Sequence, residues 1–230
     1  YLWDSATGQR RAALEGQAPP ITALAFSHDG QTLASASYMS SDVWLWNIGE
    51  RIYPRLLIPN ALEGCSIEAL AFHPDGKRLI IGGIDWMATG DSDGAVSVWD
   101  IEQRCELALF GSGTITMSLN CLGDQLATAS IQNTLLVWDL ASGKKLLEFK
   151  GHSETITAVV WSPDGRYLAS ASEDQTVRLW DCSSEKVLAT VTLDTPPRAL
   201  CYSRDGRFLF TCNGNATCYQ LSVERMLADG

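Results

Sequence analysis

The stretch Gly151–Asp181, GHSETITAVVWSPDGRYLASASEDQTVRLWD, decides the fold. Its apolar residues alternate instead of recurring every three or four positions. Ile156, Ala158 and Val160 fall on one side of an extended chain, and Thr157, Val159 and Trp161 fall on the other. Pro163-Asp164-Gly165 then supplies a tight turn, with glycine free to take a positive φ. Tyr167–Ser172 makes a second strand, Glu173-Asp174-Gln175 turns the chain, and Thr176–Trp180 makes a third. After the polar Asp181–Glu185, Lys186–Thr192 makes a fourth. Four short antiparallel strands form a small twisted sheet that cannot shield both faces by itself. Copies of it have to stack face to face about an axis.

Copies are present. Aromatic–polar pairs recur at Trp3-Asp4, Trp46-Asn47, Trp99-Asp100, Trp138-Asp139, Trp180-Asp181 and Tyr219-Gln220, at intervals of 43, 53, 39, 42 and 39 residues. A second marker runs out of phase with the first: SHDG at Ser27–Gly30, HPDG at His73–Gly76, SPDG at Ser162–Gly165 and SRDG at Ser203–Gly206. CLGD at Cys121–Asp124 reads as its worn copy in the third unit. Two interleaved markers at one period are far more specific than either alone.

The Gly151-His152 opening, the Ser-Pro-Asp-Gly turn, the LASAS strand and the closing Leu179-Trp180-Asp181 resemble, in order, the repeat of the WD-repeat β-propeller family. The resemblance covers essentially the whole of residues 1–230 and implies an all-β propeller of four-stranded antiparallel blades. It predicts complete blades near 20–60, 66–111, 114–151, 155–194 and 197–228, after a two-strand remnant at 1–16. Five blades and a remnant predict a piece of a larger propeller, with strand edges left open. The last strand is expected within Leu221–Leu227.

In this family a histidine, a serine or threonine, an aspartate and the tryptophan form a buried hydrogen-bond chain. The resemblance assigns these roles to His152, Ser170, Asp174 and Trp180 in the fourth blade. The other blades keep only part of the set: Thr89, Asp93 and Trp99 in the second, Thr128 and Trp138 in the third with Gln132 in place of aspartate. The first keeps Ser35 and Trp46, and the fifth keeps Thr211 with Tyr219 in place of tryptophan. Ser170, His152 and Asp174 also match a hydrolase triad by residue type. Ser170 sits in mid-strand, however, with no glycine-bracketed elbow and no evident oxyanion donors, so no catalytic residue is assigned.

Composition narrows the function. Seventeen basic against 27 acidic residues give a net charge of −10, a field that repels phosphate backbones and argues against nucleic acid. No apolar run is long enough to span a bilayer. The chain starts at Tyr1 with no charged-then-apolar leader. Seven cysteines without a C-x-x-C pair read as small hydrophobes of a reducing cytoplasm. Only Cys212 and Cys218 come near one another, which predicts no metal site and no cofactor. Asp91-Ser92-Asp93-Gly94 resembles the opening of a calcium loop, but it lacks the remaining ligands and reads as a plain turn. His28 and His73 occupy turn markers and are expected at the surface.

Family partners commonly dock on the face that carries the turns between strands two and three. Carried over by position, that face holds Pro20 and Thr22, then Ser66, Glu68 and Ser92, then Thr114, Thr116 and Ile131. The last two blades add Thr155, Thr157, Glu173, Pro196 and Arg198. The second repeat is 11 residues longer than the fourth, an insertion expected near Ile80–Met87 and presenting Asp85, Trp86 and Met87. The set is mixed and mildly polar, which suits a protein or peptide partner. The resemblance therefore implies a non-catalytic interaction scaffold or sensor, part of a larger regulatory or signalling protein. The alternatives are a hydrolase-like propeller using its central channel and a periplasmic accessory propeller.

Overall fold

The computed structural model describes residues 1–15, 20–38, 40–49, 52–85, 94–111 and 113–229. A two-stranded hairpin, β1 (Leu2–Trp3) and β2 (Arg10–Ala12), comes first. Blade one is β3 (Ile21–Phe26), β4 (Thr32–Ser37), β5 (Val43–Asn47) and β6 (Tyr53–Ile58). Blade two is β7 (Ser66–Phe72), β8 (Arg78–Ile84), β9 (Gly94–Asp100) and β10 (Cys105–Phe110). Blade three is β11 (Thr114–Leu119), β12 (Gln125–Ser130), β13 (Leu135–Asp139) and β14 (Lys145–Phe149). Blade four is β15 (Ile156–Trp161), β16 (Tyr167–Ser172), β17 (Thr176–Asp181) and β18 (Lys186–Thr192). These four are antiparallel meanders in chain order. The fifth has three strands, β19 (Pro197–Tyr202), β20 (Phe208–Asn213) and β21 (Cys218–Ser222), followed by helix α1 (Val223–Asp229). The all-β propeller architecture is as the repeat requires.

The fourth-strand position of the last blade corrects the expectation. Leu221–Leu227 does not form a fourth strand: Leu221 and Ser222 end β21, and the chain then turns into α1, where Ser222 Oγ accepts the Arg225 N–H at 3.4 Å, as an N-cap does, and Glu224 stands in the first turn. Val223 and Met226, three apart, share one helical face and are buried against blade four.

The core lies between blades, not within them. Ala23, Leu45 and Ile58 of blade one pack with Ile67, Leu79 and Ile81 of blade two. Val96 and Val98 of blade two meet Leu126, Leu136 and Trp138 of blade three. Ala129, Val137 and Phe149 meet Ile156, Trp161 and Trp180, and Ala169 and Leu179 meet Leu209. The second strands carry alanines with no exposed surface, Ala34 and Ala36, Ala127 and Ala129, Ala169 and Ala171. Such small side chains let neighbouring sheets close to interior packing density around the larger ones. Burying Trp180 and the aliphatic residues around it stabilises the array by about 1.5–3 kcal/mol per large side chain. The hairpin joins this stack, with Leu2 and Leu14 against Leu33, Trp46 and Ile48. At the two ends the sheet faces are less covered: Leu24 and Phe26 of β3 and Phe210 of β20 are exposed.

The turns between strands one and two follow one construction. In SPDG, Ser162 Oγ donates to Asp164 Oδ1 (2.6 Å) and accepts the Tyr167 N–H (2.9 Å), while Gly165 takes φ 71°. Ser27 and Ser203 repeat it with Asp29 and Asp205. In blade three the turn is Asn120–Gly123, one residue earlier than the CLGD reading. Gly123 supplies the positive φ of 77°, and Asn120 replaces serine, its amide donating to Asp124 (2.6 Å). His73 is buried, contrary to expectation, and only His28 is exposed. The His73 Nε2–H donates to the Gly123 carbonyl at 3.0 Å, tying the turn of blade two to that of blade three. Nδ1 accepts the Asp75 N–H.

Blade two departs in its second strand. Leu79 pairs with Trp99 as Leu168 pairs with Trp180, so β8 occupies Arg78–Ile84 and the counterpart of Ser170 is Ile81. The extra residues therefore follow β8, between Ile84 and Gly94, later than the expected Ile80–Met87. Trp86, Met87, Thr89, Ser92 and Asp93, and with them the reading of that segment, lie outside the described residues.

Candidate partner-binding face

In every blade the pairing of strands one and two shifts by one residue near the start of strand one, at its second position in four blades and at its third in blade two. The residue passed over is Thr22, Glu68, Ile115, Thr157 and Arg198 in turn. A bulge of this kind re-aims a side chain. The Thr22 hydroxyl donates to the Ile67 carbonyl of the next blade at 2.6 Å, and the Thr157 hydroxyl to the Pro197 carbonyl at 2.6 Å. These threonines therefore hold adjacent blades together, a role sequence reasoning missed. The register shift also puts Ile115, not Thr116, at the equivalent place in blade three. Such bonds set the strand-one starts of adjacent blades side by side, and the candidate docking face is made of these starts and the strand two–three turns.

That face is uneven. Ser66 and Thr114 are buried; the Ser66 hydroxyl donates to Glu68 Oε1 at 2.9 Å, and Thr114 packs on Gly82 of blade two. Asp85, Thr116, Thr155 and Thr157 are half-buried. Glu173 forms an ion pair with exposed Arg198 across blades four and five. Ile131, in the turn after β12, is exposed. Tyr38, 48% exposed, completes the set and was not foreseen: its N–H bonds the Pro20 carbonyl as that of Glu173 bonds Thr155. The signal that would have found it is its position, directly after TLASAS, matching Glu173 after YLASAS.

Beneath the face, blade four carries a closed polar chain. The Trp180 Nε1–H donates to Ser170 Oγ (2.8 Å), the Ser170 hydroxyl lies 2.7 Å from His152 Nε2, and His152 Nδ1 lies 2.8 Å from Asp174 Oδ2. Asp174 can only accept when ionised, which puts the proton on Nδ1 and leaves Nε2 to accept from serine. Burial holds the imidazole below its ordinary value of 6.5, outweighing the opposing pull of Asp174. Burial also pushes the Asp174 carboxyl up, but the Thr176 hydroxyl and His152 together outweigh it and leave it at about 2. Ser170 has no exposed surface and Trp180 closes the serine end. The trio is thus shut off from substrate and has the chemistry of a structural tie, not of a nucleophile.

Fragments of the tie recur: Trp46 donates to Ser35 (2.8 Å) and Trp138 to Thr128 (2.9 Å). With Ile81 in the serine position of blade two, Trp99 donates instead to the Ala61 carbonyl (2.9 Å). In blade five Thr211 Oγ1 accepts the Tyr219 N–H, and the Tyr219 hydroxyl donates to Asp194 at 2.9 Å. Among the described residues no group of three or more His, Cys, Asp or Glu side chains could hold a metal ion.

Stacked meanders tied by tryptophan–hydroxyl bonds define a repeat-built propeller. A family model described as "WD domain, G-beta repeat" matches residues 8–47, 60–100 and 143–181, more than half of the chain, and the chain belongs to that family. It is similar to the transcriptional corepressor LEUNIG_HOMOLOG of Arabidopsis thaliana, 32% identical over 80% of this chain and 22% of the relative. Nuclear distribution protein PAC1 of Arthroderma benhamiae is 30% identical over 81% of this chain and 41% of its own length. A guanine nucleotide-binding protein subunit beta of Oryza sativa subsp. indica is 23% identical over 95% and 61%. The chain spans between about a fifth and three fifths of these relatives.

Proposed function

We propose that the chain is a non-catalytic interaction module of a larger regulatory protein, and that it docks a protein or peptide partner on the face carrying the strand two–three turns. Relatives whose names describe a corepressor and a guanine nucleotide-binding protein subunit support a regulatory role. The observation that carries the reading is that the strand two–three turns present exposed Tyr38 and Ile131 and the Glu173–Arg198 ion pair. Exposed aromatic and apolar side chains set among polar groups are what protein interfaces use. Asp85, Glu68, Thr116 and Thr155 belong to the same surface, and Ser66, Thr114 and Thr157 support it from below. The acidic balance favours protein over nucleic acid. No helix among the described residues is long and apolar enough to cross a membrane. Free thiols are compatible with the cytoplasm.

The test is a pull-down from the source organism with the intact parent protein. Tyr38→Ala with Ile131→Ser should abolish capture of the wild-type partner. Leu122→Ser, at an exposed turn on the opposite face, should retain it. Retention in the first variant together with loss in the second moves the interface to the other face.

A further inference from the structure

Two of the seven thiols meet. Cys212 on β20 and Cys218 on β21 are directly opposite one another, with their sulfurs 3.5 Å apart. Asn213 N–H bonds the Thr217 carbonyl and Val223 N–H bonds the Arg207 carbonyl, so the hydrogen-bonded pairs of this ladder are the odd-numbered residues of β20. The Cys212–Cys218 pair falls between them, at a non-hydrogen-bonded site, where Cα atoms approach to about 4.5 Å. That separation lies inside the range a disulfide spans, and small side-chain rotations bring the sulfurs to the bonding distance of about 2 Å. Both residues are exposed, on the sheet face opposite buried Leu209 and Thr211. The remaining thiols lack this geometry. Cys201 stands opposite Phe210, Cys65 is buried, and burial pushes Cys182 up to about 12.

We propose that Cys212 and Cys218 form a redox modification site: an exposed thiol pair that closes to an intrachain disulfide on meeting a disulfide oxidant such as oxidised glutathione, and reopens in excess thiol. One thiolate attacks a glutathione sulfur, forming a mixed disulfide and expelling one glutathione thiolate. The second cysteine, deprotonated, attacks the protein sulfur of that bond and expels the other glutathione. Two protein thiols are oxidised, one glutathione disulfide is reduced, and the two protons pass to the glutathione thiolates. The hydrogen bond between the two sulfurs holds the Cys218 thiol above its ordinary value, and with both sulfurs exposed either one can make the first attack. The bond would pin β20 to β21 in the one blade that has a helix in place of its fourth strand.

The whole chain, equilibrated in glutathione buffers of increasing oxidising strength, is alkylated and digested with trypsin. Both cysteines fall in one tryptic peptide, Phe208–Arg225. It should lose both alkylation sites in step and become lighter by two hydrogens, while the Cys201 peptide stays alkylated. In Cys218→Ser the same peptide should instead carry one glutathione adduct. Independent alkylation of Cys212 and Cys218 in every buffer overturns the proposal. So does wild-type protein that accumulates glutathione adducts or linked dimers as the variant does.

Discussion

Ser170→Ala tests the buried tie most directly. The hydroxyl has no exposed surface and satisfies two groups at once, the Trp180 indole N–H at 2.8 Å and His152 Nε2 at 2.7 Å. Its removal strands a donor and an acceptor where water does not reach, at about 1–3 kcal/mol each, so the expected loss is about 2–5 kcal/mol. Thr128→Val is the control. It keeps the side-chain shape and deprives only the Trp138 indole, for a loss of about 1–2 kcal/mol. Urea unfolding followed by tryptophan fluorescence reads both, and the midpoint of Ser170→Ala should fall further. His152→Ala completes a double-mutant cycle: in the Ser170→Ala background it should cost less than in the wild type, with a coupling on the order of 1–3 kcal/mol. Equal losses for the two single variants, or strict additivity in the cycle, would refute the account of a connected chain.

Two further outcomes follow from the same geometry. Because His152 titrates below 6.5 in the folded chain, the unfolded state binds its proton first on acidification; stability should be full above pH 6.5 and fall below it. The depressed Asp174 carboxyl adds stability above its ordinary 3.8 that is lost as pH falls towards about 2. Urea midpoints measured across pH should show both declines, and His152→Gln should remove the upper one and lessen the lower. Gly123→Ala should cost about 2–4 kcal/mol, since it strains a φ of 77° and places Cβ 2.4 Å from His73 Nε2. Gly165→Ala, at φ 71° with its nearest neighbour 3.8 Å away, should cost only about 1 kcal/mol. Equal melting temperatures for the two glycine variants would show that the blade two–three contact is loose.

Strand periodicity, turn residues and the 39–53-residue recurrence are local facts, and each was legible in the sequence. YLASAS, QLATAS and TLASAS recur at one place in the repeat with small residues on both faces of the strand, which suits second strands covered on both sides by neighbouring sheets. His152, Ser170, Asp174 and Trp180 were legible for a related reason: their spacing is set by the hairpin they bridge. Position by analogy misled where a neighbouring element competes for the same groups. His73 looked like a surface turn residue until the Gly123 carbonyl of the next blade took its ring N–H. Thr22 and Thr157 looked available to a partner, yet a bulge aims both at the adjoining blade. Val223–Asp229 could alternate as a strand or close as a helix; the cap at Ser222 and the seat for Met226 against blade four chose the helix. The chain's own pattern thus determined which segments are strands and that they must stack, because those choices depend on neighbours a few residues away. Which polar groups are left over for other molecules was decided only by tertiary contact, because a hydrogen-bonding group is free or spent according to what lies opposite it in space.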